Sequence, residues 1–194
     1  PIEIDKMEIV GNIIIKSNVA IKISKENKIT DIIVIAPNIQ IEDGFTGSLQ
    51  IISSKNIEIG KNCSLKFPSS AFVLDEENIK SKEVTTKPKI SIGQNSSVIG
   101  CLVYYNKINN YSQFNSDVFI DENSRIKGQI YCTGNLELRG KVAGCVYTKQ
   151  FVLNIGGTIY VNYLYNNVIE NENIPKNYGG ILFEDQTKIL MKWL

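Results

Sequence analysis

The sequence contains no histidine, and its 194 residues include only four cysteines and one tryptophan. Without histidine, the chain cannot form a Ser-His-Asp triad or a Cys-His nucleophile pair. Mixed Cys/His zinc sites are excluded for the same reason, and no two cysteines have CxxC spacing. We therefore predict reduced thiols, with one structural disulfide as the alternative. The four cysteines are Cys63, Cys101, Cys132 and Cys145.

Excess charge and long apolar runs are also missing. Twenty-one basic and twenty acidic residues leave a net charge of +1, so no nucleic-acid partner is expected. The apolar run at residues 32–35 is far shorter than the roughly 20 residues of a membrane-spanning helix. The chain opens at Pro1 and not at a methionine. One expectation is therefore that a signal or anchor segment preceded this residue and was removed. We expect a cytoplasmic or membrane-associated location, the latter through a segment absent from this chain, with the cell envelope or surface as the alternative.

Candidates for carboxylate chemistry are the acidic pairs Glu42-Asp43, Asp121-Glu122 and Glu184-Asp185. The first two fall in predicted turns, where acidic residues are ordinarily solvated. No glycine-rich segment has the spacing of a phosphate-binding loop. We therefore predict no catalytic residue, no cofactor, no metal site and no enzymatic activity. A carbohydrate-active enzyme that uses such carboxylates is the enzymatic alternative.

A tandem repeat is what the sequence does contain. Residues 90–102 and residues 118–130 share apolar positions, an Asn-Ser pair and a glycine, in the same order. Apolar residues elsewhere also fall on every second position, the period of a strand with one buried face. Further copies before and after this tandem recur at intervals of about 16 to 18 residues, which is the length of a circuit of three short strands.

This pattern predicts an all-β fold, a single-stranded parallel β-helix (β-solenoid) in which each repeat stacks on the next. We predict one domain over residues 1–194, with loop excursions and a short C-terminal capping segment that includes a helix at residues 186–194. Its predicted parts are the N-terminal strands and first coils (1–38), the regular coils (39–160) with excursions at 68–89 and 105–116, and the C-terminal cap (161–194).

Three tyrosines are the candidate binding residues. Tyr131, Tyr147 and Tyr160 each follow an inward-facing apolar position, so we predict an outward column of aromatic rings. Such a column can bind sugar rings or a protein partner, and ordinary cross-strand packing is the alternative. Cys101 and Cys145 align one position earlier, two repeats apart and too distant for a disulfide.

The segments at residues 128–131 and 136–146, with their Gly-x-apolar spacing, resemble those of bactofilins, bacterial polymer-forming cytoskeletal proteins. The resemblance covers roughly residues 90–159. It implies a compact right-handed β-helix that assembles end to end without nucleotide. We therefore expect a non-enzymatic structural scaffold whose partner is itself or another protein. The alternative is a cell-surface or envelope β-helix that binds glycan or protein through its outer face.

Overall fold

The computed structural model describes residues 1–75, 88–106, 115–165 and 167–171. Every regular element in these ranges is a β-strand, and none of them contains a helix that is long and apolar enough to cross a membrane. The strands are β1 (Ile2–Ile4), β2 (Glu8–Val10), β3 (Ile14–Lys16), β4 (Ala20–Ile23), β5 (Lys28–Ile41), β6 (Thr46–Ile59), β7 (Ser64–Asp75), β8 (Ile90–Ile92), β9 (Ser97–Asn106), β10 (Val118–Ile120), β11 (Arg125–Leu138), β12 (Lys141–Ile155), β13 (Thr158–Val161) and β14 (Val168–Glu170).

All fourteen strands belong to one curled sheet in which the pairing is parallel, except between β12 and β13. The main path through the sheet is β1-β4-β5-β6-β7-β9-β11-β10-β8, and β12 pairs with β11. Each residue pairs with its counterpart in the next repeat, as Ile39 does with Ile57. The prediction of an all-β fold of stacked parallel strands is therefore confirmed.

The long strands bend, and the bends divide them into consecutive segments. In β5 the register shifts between Ile29 and Ile32 and again between Ala36 and Asn38. We call the stretches between the two bends the second segments and those after the second bend the third segments. The second segments are residues 32–36 of β5, 49–53 of β6, 70–74 of β7, 101–105 of β9, 129–132 of β11 and 145–148 of β12, and they stack in register.

The core consists of inward columns of aliphatic side chains that continue from repeat to repeat. One column contains six residues in the third segments and the short strands stacked on them, and each is at most 2% exposed. Burial of one such side chain stabilises the folded state by about 1.5–3 kcal/mol. The side chain is buried by the repeats on either side of it, so each repeat depends on its neighbours for stability. The column is Ile21, Ile39, Ile57, Ile90, Val118 and Leu136.

The repeated Asn-Ser pair forms one kind of bend. Asn95 and Asn123 take positive φ angles of 59°, which asparagine tolerates better than most residues. The serine that follows turns inward, and Ser96 Oγ donates a 2.8 Å hydrogen bond to the Gly60 carbonyl oxygen. Ser124 Oγ donates to the Gly93 carbonyl oxygen at the same distance. The pair therefore satisfies buried backbone groups of the preceding repeat.

Glycine is required where the second segments of three repeats begin. Gly100, Gly128 and Gly144 pair in register, and their φ angles of 148°, 145° and 147° disfavour any L side chain. A Cβ on Gly144 would lie 1.8 Å from the Gly128 carbonyl oxygen. The repeated glycine thus reflects close backbone approach between repeats.

Two of the predicted boundaries change. Residues 68–75, which the sequence pattern assigns to an excursion, belong to β7, and residues 105–106 belong to β9. Pro68 lies where the pairing register shifts between Leu65 and Ser69, so its missing N–H removes no ladder hydrogen bond. Residues 76–87 of the first predicted excursion, residues 107–114 of the second, and the capping helix at 186–194 lie outside the described residues.

Candidate functional site

The predicted column of three tyrosines is wrong at one position. Tyr131 and Tyr147 pair in register on β11 and β12. Tyr160 instead pairs with Leu153, because the chain reverses at Gly156-Gly157 and β13 runs antiparallel to β12. Both glycines take positive φ angles, which a tight reversal of this kind uses. Tyr160 packs near Tyr163, with 5.7 Å between the ring centroids, and does not extend the Tyr131 row.

The row that contains Tyr131 and Tyr147 continues in the opposite direction. Register pairing places six outward, mostly half-buried side chains one above another, and all six are aliphatic or aromatic. They are Ile35, Ile52, Phe72, Val103, Tyr131 and Tyr147. Leu74 and Tyr105 pair beside them. We call these eight residues the apolar face. The alternation of the sequence would have revealed it, because the outward positions of the second segments are themselves apolar.

The exposure of the apolar face varies along it. Val103, in the middle, is only 7% exposed, whereas Leu74, Tyr105 and Tyr147 are 45%, 42% and 47% exposed. The centre is therefore recessed between more exposed side chains. A ligand can therefore lie across this surface, over Val103 and between the more exposed side chains.

Charge is distributed unevenly around the sheet. The six second segments contain no Asp or Glu, although the chain has twenty acidic residues. The outward positions of the third segments and the strands stacked on them, by contrast, include Glu3, Glu58 and Glu137. The apolar face is thus free of carboxylates, and exposed lysines lie at its margins. They are Lys16, Lys55 and Lys149.

The row next to the apolar face contains two of the cysteines. Cys101 and Cys145 both pair with Gln129, one on each side, so a whole repeat separates the two thiols. None of the four cysteines forms a disulfide in the structure. The prediction that Cys101 and Cys145 do not bridge agrees with this arrangement.

A second candidate site is a buried polar cluster that the sequence analysis missed. The Tyr104 hydroxyl donates to Asp75 Oδ2 at 3.3 Å and accepts from Asn106 Nδ2 at 3.3 Å. Lys89 Nζ lies 3.4 Å from the same Asp75 oxygen, and both side chains are largely buried. Asp117 Oδ2 accepts a 2.8 Å hydrogen bond from the Asn135 backbone N–H. The missed signal was Asp75 and Tyr104 at positions where the alternation calls for inward apolar residues.

Burial shifts the protonation of this cluster. Desolvation raises the pKa of Asp117, against the opposing effects of the Asn135 hydrogen bond and the Lys89 charge. Burial also raises the pKa of the Tyr104 phenol, and the nearby Asp117 charge adds to that rise. The phenol therefore stays protonated and acts as a hydrogen-bond donor. Perturbed carboxyl groups can mark catalytic sites, but these polar atoms are engaged with one another.

The outer side of the third segments has a shallow groove of about 480 Å³. Lys22, Gln40, Glu58 and Ser91 are among its lining residues. Asn56 Nδ2 donates a 3.0 Å hydrogen bond to Asn38 Oδ1 along the groove, a ladder that joins adjacent repeats. Stacked polar side chains thus form part of the groove's lining, beside apolar residues such as Pro1, Ala20 and Pro88.

The apolar face and the buried polar cluster differ in what they can do chemically. The polar cluster around Tyr104 joins strands to each other, whereas the apolar face turns its side chains outward. Within the described ranges, no three His, Cys, Asp or Glu side chains are grouped so that they could hold a metal ion. Comparison with protein families, curated proteins and solved structures finds no match to this chain.

Proposed function

We propose that the curled sheet closes into a right-handed parallel β-solenoid, and that the chain is a non-enzymatic scaffold that assembles with further copies of itself, as the bactofilins do. The pairing interval supports closure. Ile21 pairs with Ile39 and Ile39 pairs with Ile57, so eighteen residues bring the chain back to the same position one strand further along. Three short segments and their bends account for such a circuit.

One observation carries the assembly proposal: the core is incompletely covered at the first repeat. Ile9 and Ile15 point inward but are only partly buried. Their partners one repeat further in, Ile29 and Val34, are 1% and 0% exposed. A further strand layer stacked on Ile9 and Ile15 would complete their burial, as β2 and β3 complete that of Ile29 and Val34 in β5.

The backbone at this end supports the same proposal. Among the described residues, β1, β2 and β3 are each hydrogen-bonded to a neighbouring strand on one side only. Such an edge presents N–H and C=O groups to which another chain can add a strand. Val10 and Ile14, on these strands, are 62% and 61% exposed. Strand addition there would bury apolar surface and pair backbone groups together.

The opposite end is more covered by the chain itself. β14 pairs with Lys141–Ala143 of β12, and β13 pairs with Val152–Ile155. Between them, Val146 and Phe151 remain only partly buried against the core. The first repeat is therefore the better candidate for the main contact, and a dimer through it is the smallest assembly that the proposal predicts.

Sedimentation velocity over a wide concentration range, together with electron microscopy, tests the proposal. We expect dimers or longer assemblies, and Val10→Lys should weaken association at least about tenfold by placing a charge in the new interface. Ile155→Lys, at a residue 52% exposed near the other end, is the matched control and should leave the dimer through the first repeat unchanged. Circular dichroism checks that both variants fold. A chain that stays monomeric at every concentration contradicts the proposal.

A further inference from the structure

We propose that the apolar face binds an extended acidic polysaccharide. Sugar rings would pack against the row from Ile35 to Tyr147, and the carboxylates of the polymer would lie near the lysines at the margins. This inference goes beyond the scaffold function and is independent of it. It rests on the aromatic and aliphatic character of the row, its length, and the distribution of charge around it.

The shape and chemistry of the row suit a linear sugar polymer. Stacked strands lie about 4.8 Å apart, so the six residues of the row span roughly 24 Å. An extended polysaccharide presents ring faces repeatedly along such a length, and flat rings pack well on Phe72, Tyr131 and Tyr147. The exposed Gln50 and half-buried Ser70, in the adjacent row, offer polar atoms to sugar hydroxyls. The surface thus combines ring packing with polar contacts alongside.

The charges favour an acidic polymer over a neutral one. The second segments contain no Asp or Glu that would repel an anionic chain, although the exposed Asp31 precedes the first of them and Asp75 follows Leu74. Lys55 and Lys149 are exposed at the bend that follows these segments, and Lys16 is exposed beside the first residue of the row. Complementary charge of this kind strengthens encounter with anions and is weakened by salt.

Three other occupants fit the surface less well. A second copy of the chain would bring the same lysines to the interface without acidic partners on this face. A membrane would need apolar side chains that protrude together along the whole face, whereas Val103 in the middle is only 7% exposed and lies below Leu74 and Tyr147, at 45% and 47%. An acidic peptide that adds as a strand needs a free edge, and the second segments of β6, β7, β9 and β11 are paired on both sides. Among the described pairings, the second segment of β12 is paired with β11 alone, so a peptide strand would cover only that end of the row.

Affinity electrophoresis and calorimetry with polygalacturonate test the proposal, with dextran, polyglutamate and phosphatidylglycerol vesicles as competing probes. We expect polygalacturonate to bind most tightly, and Tyr147→Ala to weaken binding about three- to tenfold. Tyr160→Ala is the matched control, because Tyr160 is 44% exposed but lies off the row, and it should bind as the unchanged chain does. Lys149→Gln should reduce the salt dependence of binding.

Several results would overturn the proposal. These are no binding of polygalacturonate at low salt, equal losses from Tyr147→Ala and Tyr160→Ala, and binding of polyglutamate or of the vesicles as tightly as polygalacturonate. Sedimentation of each variant is measured alongside. Because Val10→Lys should disrupt assembly but leave polygalacturonate binding intact, failure of the scaffold proposal can be distinguished from failure of this one.

Discussion

The Tyr104 hydroxyl lies 3.3 Å from Asp75 Oδ2, inside a sheet in which the inward residues just before them, Leu102 and Val73, are fully buried and aliphatic. Tyr104 is 1% exposed and Asp75 is 7% exposed, so neither group can exchange this contact for water. A buried carboxylate without partners is costly, and this one is stabilised by the phenol and by Lys89. The pair therefore holds β7 and β9 together at the residues where both strands end.

Removal of the Tyr104 hydroxyl should destabilise the protein. Tyr104→Phe keeps the ring in the core but leaves Asp75 without its phenol donor, a loss of about 1–3 kcal/mol in the free energy of unfolding. Urea denaturation measures it. Tyr105→Phe is the matched control, since Tyr105 is the next residue and is 42% exposed, and we expect a change within about 0.5 kcal/mol. Equal effects of the two variants would show that the buried hydroxyl contributes no specific stability.

The raised pKa of Asp117 predicts a pH dependence. The native state keeps the proton at pH values where an unfolded Asp, with a pKa of about 3.9, has lost it. The stabilisation from this group is therefore complete below about pH 4 and is lost as the pH rises through the raised native pKa. Asp75, Lys89, Tyr104 and Cys132 are the titratable groups around it.

The variant Asp117→Asn should remove this contribution. Asparagine can still accept the Asn135 backbone hydrogen bond but does not ionise. We therefore expect the free energy of unfolding, measured by urea denaturation at a series of pH values, to fall less from pH 4 to pH 7 than in the unchanged chain. Asp5→Asn, at an exposed position, is the control and should retain the full pH dependence. An unchanged slope in Asp117→Asn would show that the carboxyl titrates normally.

Gly144 should tolerate no side chain. In Gly144→Ala the new Cβ would meet the Gly128 carbonyl oxygen, and the φ of 147° adds backbone strain. We expect a loss above about 3 kcal/mol in the free energy of unfolding, or failure to fold, measured by thermal and urea denaturation. Gly157→Ala is the control, because its φ of 87° is also positive but nothing lies within 4 Å of its Cβ position. Similar losses at both positions would assign the effect to φ alone.

The regular parts of the fold were predictable because they repeat. The alternation of isoleucines indicates inward and outward faces, and the recurrence of Asn-Ser and glycine indicates bends at matching positions. Ser96 has its counterpart in Ser124, and Gly128 has its counterpart in Gly144. These residue types recur because each of them contacts the backbone of the neighbouring repeat. Sequence spacing therefore predicts the parallel stacking, since the same physical demand recurs every repeat.

The candidate sites were less predictable because they depend on interruptions of the repeat. Tyr160 follows an apolar residue just as Tyr147 does, but the hairpin at Gly156-Gly157 moves it to another strand pairing. Asp75 and Tyr104 are 29 residues apart in the chain and meet only because β7 and β9 stack in register. Proximity across such a distance cannot be inferred before the pairing register is known.

The four thiols should differ in reactivity. Burial raises the pKa of Cys132 to about 12, so almost none of it is thiolate at pH 8, and burial also raises the pKa of Cys63. Cys145 is exposed and Cys101 is half-buried. In the native protein we expect a disulfide reagent to modify Cys145 first and to leave Cys63 and Cys132 unmodified until urea unfolds the chain. Mass spectrometry of quenched samples measures the order, and Cys145→Ser should lose the fastest phase. Rapid modification of Cys132 in the native protein would contradict its position in the core.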